Sequence, residues 1–212
     1  MDEGKMIQLC ESQVFARGGR RDCFIDPEDP SKCIKTLNER GDPVERRKKS
    51  SWYKRLRPLY FFDDNARELD SFRQLERKDD VVWAHFPRCY GLVETSFGKG
   101  IATDLIRDVD GAVSHSFRDH VASCGKTQEL FSALDDFFQI LLRENVATRD
   151  ILDHNLVVRV GVDGLRVYMI DGFGSSEFIP ISSWIPMLGR RKVLRKIRRF
   201  KNRYGLIPES DQ

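Results

Sequence analysis

The sequence predicts an α+β chain in two lobes, an N-terminal antiparallel sheet with one helix and a reduced, mainly helical C-terminal half. Three observations predict it. Short apolar runs punctuated by Gly, Asp and Pro turn signals open the chain. One stretch, 127–143, repeats its apolar residues at helical spacing. A hairpin pattern follows at 156–170. The 212 residues, 40% hydrophobic with 14 Phe, suffice for a packed core, and the 33% charged residues suit a soluble surface.

In order along the chain, 6–15 reads as a strand, and Gly18-Gly19 marks a turn into a second strand at 22–25. The 26–30 cluster is a hairpin signal before a third strand, 33–37. The basic stretch 38–57 reads as a loop with an irregular helix. Asp63 or Asp64 can cap a helix that runs to about Arg77. Strands are expected at 88–94 and 100–105. Leu130, Leu134, Phe137, Phe138 and Leu141 line one face of the 127–143 helix, and strands 156–160 and 165–170 turn around Asp163-Gly164. The expected division is 1–105 and 106–212.

Net charge is only +3, yet the cations cluster at 46–57 and 190–203. Val193, Ile197, Phe200 and Tyr204 fall on one face of a final helix, so the tail is expected to dock that face on the lower lobe. Its basic faces also suit an anionic membrane surface or another polyanion. Segment 46–60 interleaves cations with Trp52, Tyr53 and Tyr60; it reads as an insertion with a solvated charged face, and nucleic acid is not favoured. The five cysteines form no C-x-x-C pair and no metal spacing. With a charged N-terminus and no apolar run of membrane length, the expected compartment is the reducing cytoplasm, peripheral to the inner membrane if the tail binds lipid.

The chemistry concentrates in two loops that flank the hairpin. Arg149-Asp150-Ile151-Leu152-Asp153-His154-Asn155 precedes it and Ile170-Asp171-Gly172-Phe173-Gly174 follows it. A D-x-x-x-x-N loop, a short hairpin and an apolar strand that ends in Asp is the layout of kinase catalytic machinery. The hairpin returns the chain so that a second carboxylate reaches the ion that the Asn faces. Magnesium takes such oxygen ligands together with phosphate oxygens and water. Upstream, Lys35 sits on a strand with Cys33 on its own face and Ile34 on the other. Glu68 shares a helix face with Phe72 and Leu75 and is the acidic partner such a lysine needs.

These blocks resemble the YrbL-type family of PhoP regulatory network proteins, within the protein-kinase-like superfamily. The matching segments are 18–24, 27–29, 33–35, 67–69, 90–95, 150–155 and 182–184, spread over most of the chain. The resemblance implies a compact two-lobed kinase-like fold, ATP as phosphoryl donor and Mg2+ as metal. It implies that Gly18, Gly19, Arg20 and Lys35 meet the phosphates and that Glu68 orients Lys35. Thr103, Asp104, Leu105 and Ile106 would form the hinge that meets the adenine. Asp150 would be the catalytic base, and Asn155 and Asp171 would hold the metal.

The sequence departs from the kinase pattern at three points. The phosphate loop reads Ala16-Arg17-Gly18-Gly19-Arg20-Arg21, where Arg20 or Arg21 could pair directly with phosphate. Leu152 replaces the usual Lys, a loss of about 10²-fold in rate if no other cation serves. Asp171 is followed by Gly172-Phe173-Gly174, one residue longer than D-F-G. No A-P-E element follows, so a small-molecule, glycan or surface-bound acceptor is favoured over a peptide. A pseudokinase, binding nucleotide without turnover, is the alternative.

Overall fold

The computed structural model describes residues 6–174 and 186–206, the backbone alone over 186–188. The 182–184 block and residues 1–5 lie outside the described residues. The chain is α+β and divides into two compact units. No helix among the described residues is long and apolar enough to cross a membrane.

The first unit comprises residues up to Arg73 together with Arg88–Leu105. Its antiparallel sheet has strands β1 (Val14–Arg17), β2 (Arg21–Ile25), β3 (Lys32–Leu37), β4 (Cys89–Thr95) and β5 (Gly98–Asp104), in the order β1-β2-β3-β5-β4. The expected strand over 6–15 is corrected to β1 and an isolated bridge from Ile7 to Thr95. Its middle turns instead, because the Gln13 side chain accepts from the Cys10 amide at 2.9 Å while the Gln13 amide donates to the Cys10 carbonyl at 2.9 Å. Such local side-chain bonds offer the backbone an alternative to the sheet ladder.

Alternation along β2 and β3 buries Phe24 and Ile34 on one face, where they cluster with Leu9 and Ala102. Cys33 and Lys35 take the other face. The turn after β2 is closed by Asp26, whose Oδ1 accepts from the Glu28 amide at 2.9 Å. The basic stretch holds two short helices, α1 (Pro43–Lys48) and α2 (Trp52–Arg55). Asp42 caps α1 by accepting from Val44 at 2.7 Å, and Pro43 stands at the first helical position. Helix α3 (Asp64–Leu75) starts where Asp63 Oδ1 accepts from the amides of Asn65 and Ala66 at 2.9 and 3.1 Å. Asn65 Nδ2 then donates to the carbonyls of Lys35 (3.0 Å) and Lys99 (3.2 Å), tying α3 to the sheet.

The second unit comprises Gln74–Pro87 and the chain from Ile106 onward. Residues 74–87, placed in the first lobe by sequence, group here for a packing reason. His85 receives the Met169 amide at its carbonyl (2.9 Å), and Phe86 meets Phe137 and Phe173 edge-on or tilted. A three-stranded sheet, β6 (His115–Ser116), β7 (Leu156–Gly161) and β8 (Gly164–Met169), carries the expected hairpin. Strand β6 and helix α4 (Phe117–Cys124) escaped the sequence reading, since a two-residue strand and an eight-residue helix rich in polar residues show no clear period.

Helix α5 (Gln128–Arg143) begins at Thr127, whose Oγ1 accepts from the Leu130 amide at 3.2 Å, and all five expected apolar residues are buried. The final helix, α6 (Pro186–Tyr204), buries Val193, Ile197 and Phe200 within this unit. Phe200 packs on Phe117 and Phe138, and Tyr204 on Phe117, with ring centroids 5.0–5.9 Å apart.

Buried Asp153 ties three elements of this unit together. Its carboxylate accepts from Arg118 of α4 at Nη2 (2.8 Å) and Nε (3.1 Å), and from the Tyr204 hydroxyl of α6 at 2.9 Å. Burial alone pushes its pKa up, but the bonds from Arg118 and Tyr204, the guanidinium charge and the His154 amide prevail and bring it down to about 2. A carboxylate depressed in the fold contributes stability above its unfolded pKa of about 3.9, and that contribution is lost as pH falls through the folded value. Asp153→Asn is therefore expected to lower stability by about 2 kcal/mol at pH 7. The gap to wild type, measured by denaturant unfolding, should narrow as pH falls from about 4 toward about 2.

Candidate functional site

The first unit brings together Lys35 and Glu68. Strand β3 presents Lys35 opposite Cys23 of β2 and Ile101 of β5. Its Nζ donates to Glu68 Oε1 at 2.7 Å, and Glu68 is fully buried, at 0% exposure. The other oxygen of Glu68 accepts from Arg21. One buried carboxylate thus meets two cations, and removing it would leave both without this partner. The sequence reading offered Arg20 or Arg21 to phosphate; in the structure Arg21 pairs with Glu68 and Arg20 with Asp64, at 3.3 Å.

The glycine turn between β1 and β2 is tied rather than loose. The Gly18 amide donates to the Arg21 carbonyl at 2.7 Å, and the Asn38 amide donates to the Arg20 carbonyl at 3.1 Å. Gly41 lies so close that a Cβ there would land on the Arg20 carbonyl oxygen. Gly19 faces open space.

Cys23, which the register of β2 on β3 sets opposite Lys35, was not singled out by the sequence. A hydrogen bond from Cys33, with Lys35 and Arg21 beside it, brings its thiol down to about 7 despite burial. Cys33, which makes that bond from a buried position, is pushed well up.

The expected hinge is already engaged. Thr103 is buried, the Asp104 amide donates to the Arg88 carbonyl at 3.0 Å, and the Leu105 amide donates to the Ser31 carbonyl at 2.8 Å. Asp104 also accepts from the Tyr90 hydroxyl at 2.7 Å. The Ile106 carbonyl accepts from the Ser114 amide at 3.0 Å.

In the second unit, Asp150, Asn155 and Asp171 are held together by backbone. The segment before Asp150 pairs antiparallel with the segment after Asp171: the Arg149 amide donates to the Gly172 carbonyl at 2.6 Å, and the Gly174 amide to the Ala147 carbonyl at 2.7 Å. Thr148 and Phe173 form the bridge between these bonds. The Asn155 carbonyl accepts from the Ile170 amide at 2.9 Å, which sets Asn155 beside the residue before Asp171. Gly172 closes the arrangement. Its φ is +84°, and a Cβ there would lie 2.9 Å from Asn155 Nδ2 and 3.0 Å from the Asp150 carbonyl. Only glycine fits this conformation and this approach without displacing a neighbour.

Asp150 is exposed, with Oδ1 accepting from the Ile151 amide at 2.9 Å. Asp171 is half-buried; its Oδ1 accepts from the Gly172 amide at 2.6 Å and lies 3.7 Å from Arg149 Nη2. Arg149 brings a guanidinium to this loop, where sequence had marked Leu152 as the loss of a cation. Sequence could not find it, because the register of 147–149 against 172–174 decides where Arg149 points. Exposed His154 lies 3.4 Å from Asp153.

Among the described residues no group of three His, Cys, Asp or Glu is arranged to hold a metal. Asp171 and Asn155 offer one carboxylate and one amide oxygen. That donor set fits a hard cation which arrives with phosphate oxygens and water, and does not suffice for a bare ion.

The chain matches the family model described as PhoP regulatory network protein YrbL over residues 7–205. It is 29% identical over 201 residues to a protein of Escherichia coli (strain K12) named "Uncharacterized protein YrbL", covering 92% of this chain and 86% of that one. A protein of the same name from Shigella flexneri matches equally. With both loops, the Lys35–Glu68 strand and helix, and the glycine turn inside the matched span, the chain belongs to the YrbL family of PhoP regulatory network proteins.

Proposed function

We propose that this chain is an ATP-dependent phosphotransferase of the kinase-like superfamily, acting in the cytoplasm on a small-molecule, glycan or surface-bound acceptor. The observation that carries the reading is the backbone pairing that sets Asp150 and Asn155 against Asp171-Gly172. In this reading Asp150 serves as general base and Asn155 and Asp171 as oxygen ligands, and that pairing is what keeps residues up to 21 positions apart in sequence close to one another. The buried Lys35–Glu68 pair supports it from the first unit, since a lysine held by a carboxylate is fixed in position for a phosphate. The five cysteines are free thiols, as a reducing compartment would keep them.

In this reading ATP would supply the phosphoryl group and leave as ADP, and magnesium would offset the phosphate charge. Lys35 binds phosphate oxygen, and Glu68 positions Lys35. Asp171 and Asn155 would hold the metal by their side-chain oxygens. Asp150 accepts the proton of the acceptor hydroxyl at the carboxylate oxygen that the Ile151 amide does not take. Arg149 is placed to offset charge that Leu152 does not.

A second reading is favoured by particular features: the tied glycine turn, the engaged amides of Asp104 and Leu105, and Leu152 itself. It is a pseudokinase, binding nucleotide as a regulatory or scaffolding module without turnover.

Purified wild type is expected to turn over ATP with magnesium, and Asp150→Ala and Asp171→Ala to fall at least about 10²-fold. Equal background rates in all three would remove the enzyme reading. Magnesium-ATP should raise the Tm of wild type, and the rise should vanish in Lys35→Ala. A nucleotide-dependent rise without phosphate release would select the pseudokinase. Gly172→Ala should lose turnover together with about 1–3 kcal/mol of stability, from strain at positive φ and crowding of Asn155. Calorimetry with magnesium alone should show no tight binding, in keeping with two protein ligands.

A further inference from the structure

Helix α1 and the segment that follows it, before α3, carry a surface that the phosphotransfer reading does not use. Trp52 and Leu56 are each 77% exposed, and they stand four residues apart, at the start of α2 and just past its end. Tyr53, Val44 and Leu59 are exposed beside them. Large apolar side chains gathered in water mark a contact surface rather than a core. Between 43 and 60 the chain also has seven Lys or Arg against one Glu.

The platform is built rather than slack. Arg47 Nε donates to the Arg55 carbonyl at 2.9 Å and Arg55 Nε to the Ser50 carbonyl at 2.8 Å, bracing α1 against α2. Arg46 anchors the base by donating to the Phe62 carbonyl and pairing with Asp64 at 3.2 Å. A groove of about 390 Å³ lies between α1 and α2, with Val44 and Leu59 as aliphatic walls and Arg47, Lys48 and Arg55 around it. Its chemistry is an apolar slot rimmed by cations.

We propose that 43–60 is a docking element that seats the first unit on the surface of an anionic lipid bilayer. Charge complementarity selects an anionic partner, and the apolar side chains select among anionic partners. Nucleic acid would use Trp52 and Tyr53 by stacking, but would leave Leu56, Leu59 and Val44 in water. A bilayer takes all of them. Trp and Tyr settle at the headgroup level, aliphatic side chains enter the acyl boundary, and Lys and Arg meet the lipid phosphates. The basic helix α6 offers less to insert. Of its apolar residues between 189 and 200, Val193, Ile197 and Phe200 are buried in the second unit and Leu194 is exposed.

The test uses the full chain and sedimentation with vesicles of phosphatidylglycerol in phosphatidylcholine, against phosphatidylcholine alone. Wild type should bind the anionic vesicles, with a blue shift of tryptophan emission, and not the neutral ones. Trp52→Ser with Leu56→Ser, and separately Lys48→Gln with Lys49→Gln and Lys54→Gln, should each weaken binding about tenfold or more. The blue shift should disappear in Trp52→Ser. All these residues are exposed, so circular dichroism and Tm should match wild type, and Asp171→Ala should bind vesicles as wild type does. The proposal is overturned if the Trp52 and Leu56 variant binds like wild type. It is equally overturned if binding is lost on neutralising Arg191, Arg195 and Arg199 instead, or if the same surface binds a single-stranded oligonucleotide and not vesicles.

Discussion

The candidate chemistry of this protein rests on a short stretch of backbone pairing, 147–149 against 172–174. Three polar side chains at Asp150, Asn155 and Asp171 have little reason of their own to remain near one another in water. The paired amides and carbonyls remove that freedom, against the entropy cost of ordering the loops. Gly172 is the condition for it, since its positive φ and missing Cβ let the Asp150 carbonyl and the Asn155 amide approach. Phe173 follows at once and is buried against Phe86, so the same turn that carries half-buried Asp171 anchors the chain to the aromatic core.

A second layer of support lies outside the polar loops. Asp153, between the candidate base and the candidate metal ligand, is buried and bound by Arg118 and Tyr204. Tyr204 itself stacks on Phe200 and meets Phe117, so the position of the loop depends on the docking of the last helix. The basic tail therefore has a structural part through its apolar face, whatever its cations contact. Lys201 reaches Asp135 of α5 at 2.6 Å, and Lys196 donates to the Thr148 carbonyl at the base of the paired segments.

In the first unit the governing feature is the burial of Glu68. A carboxylate removed from water needs its charge met, and Lys35 and Arg21 meet it from adjacent strands. Asn65, one turn earlier on α3, binds the carbonyl of Lys35 itself, so the helix grips both the side chain and the backbone of the same strand residue. This double attachment makes Lys35 a fixed charge rather than a solvated one. Cys23 and Cys33, on the same face of the sheet, share its electrostatic field.

Local chemistry was legible wherever a side chain acts within a few residues of itself. The period of Leu130, Leu134, Phe137, Phe138 and Leu141, the Asp63 cap, the hairpin around Asp163-Gly164 and the alternation that sets Lys35 apart from Ile34 all follow from spacing and turn residues. The pairing of Lys35 with Glu68 was legible too, because a strand lysine and a helix glutamate flanked by apolar residues have few other ways to be satisfied. Tertiary structure alone decided that Arg21 joins that pair, that Arg149 faces Asp171, and that residues 74–87 pack with the second unit. Those outcomes depend on register and on which faces meet across long separations in sequence, and no local period encodes them.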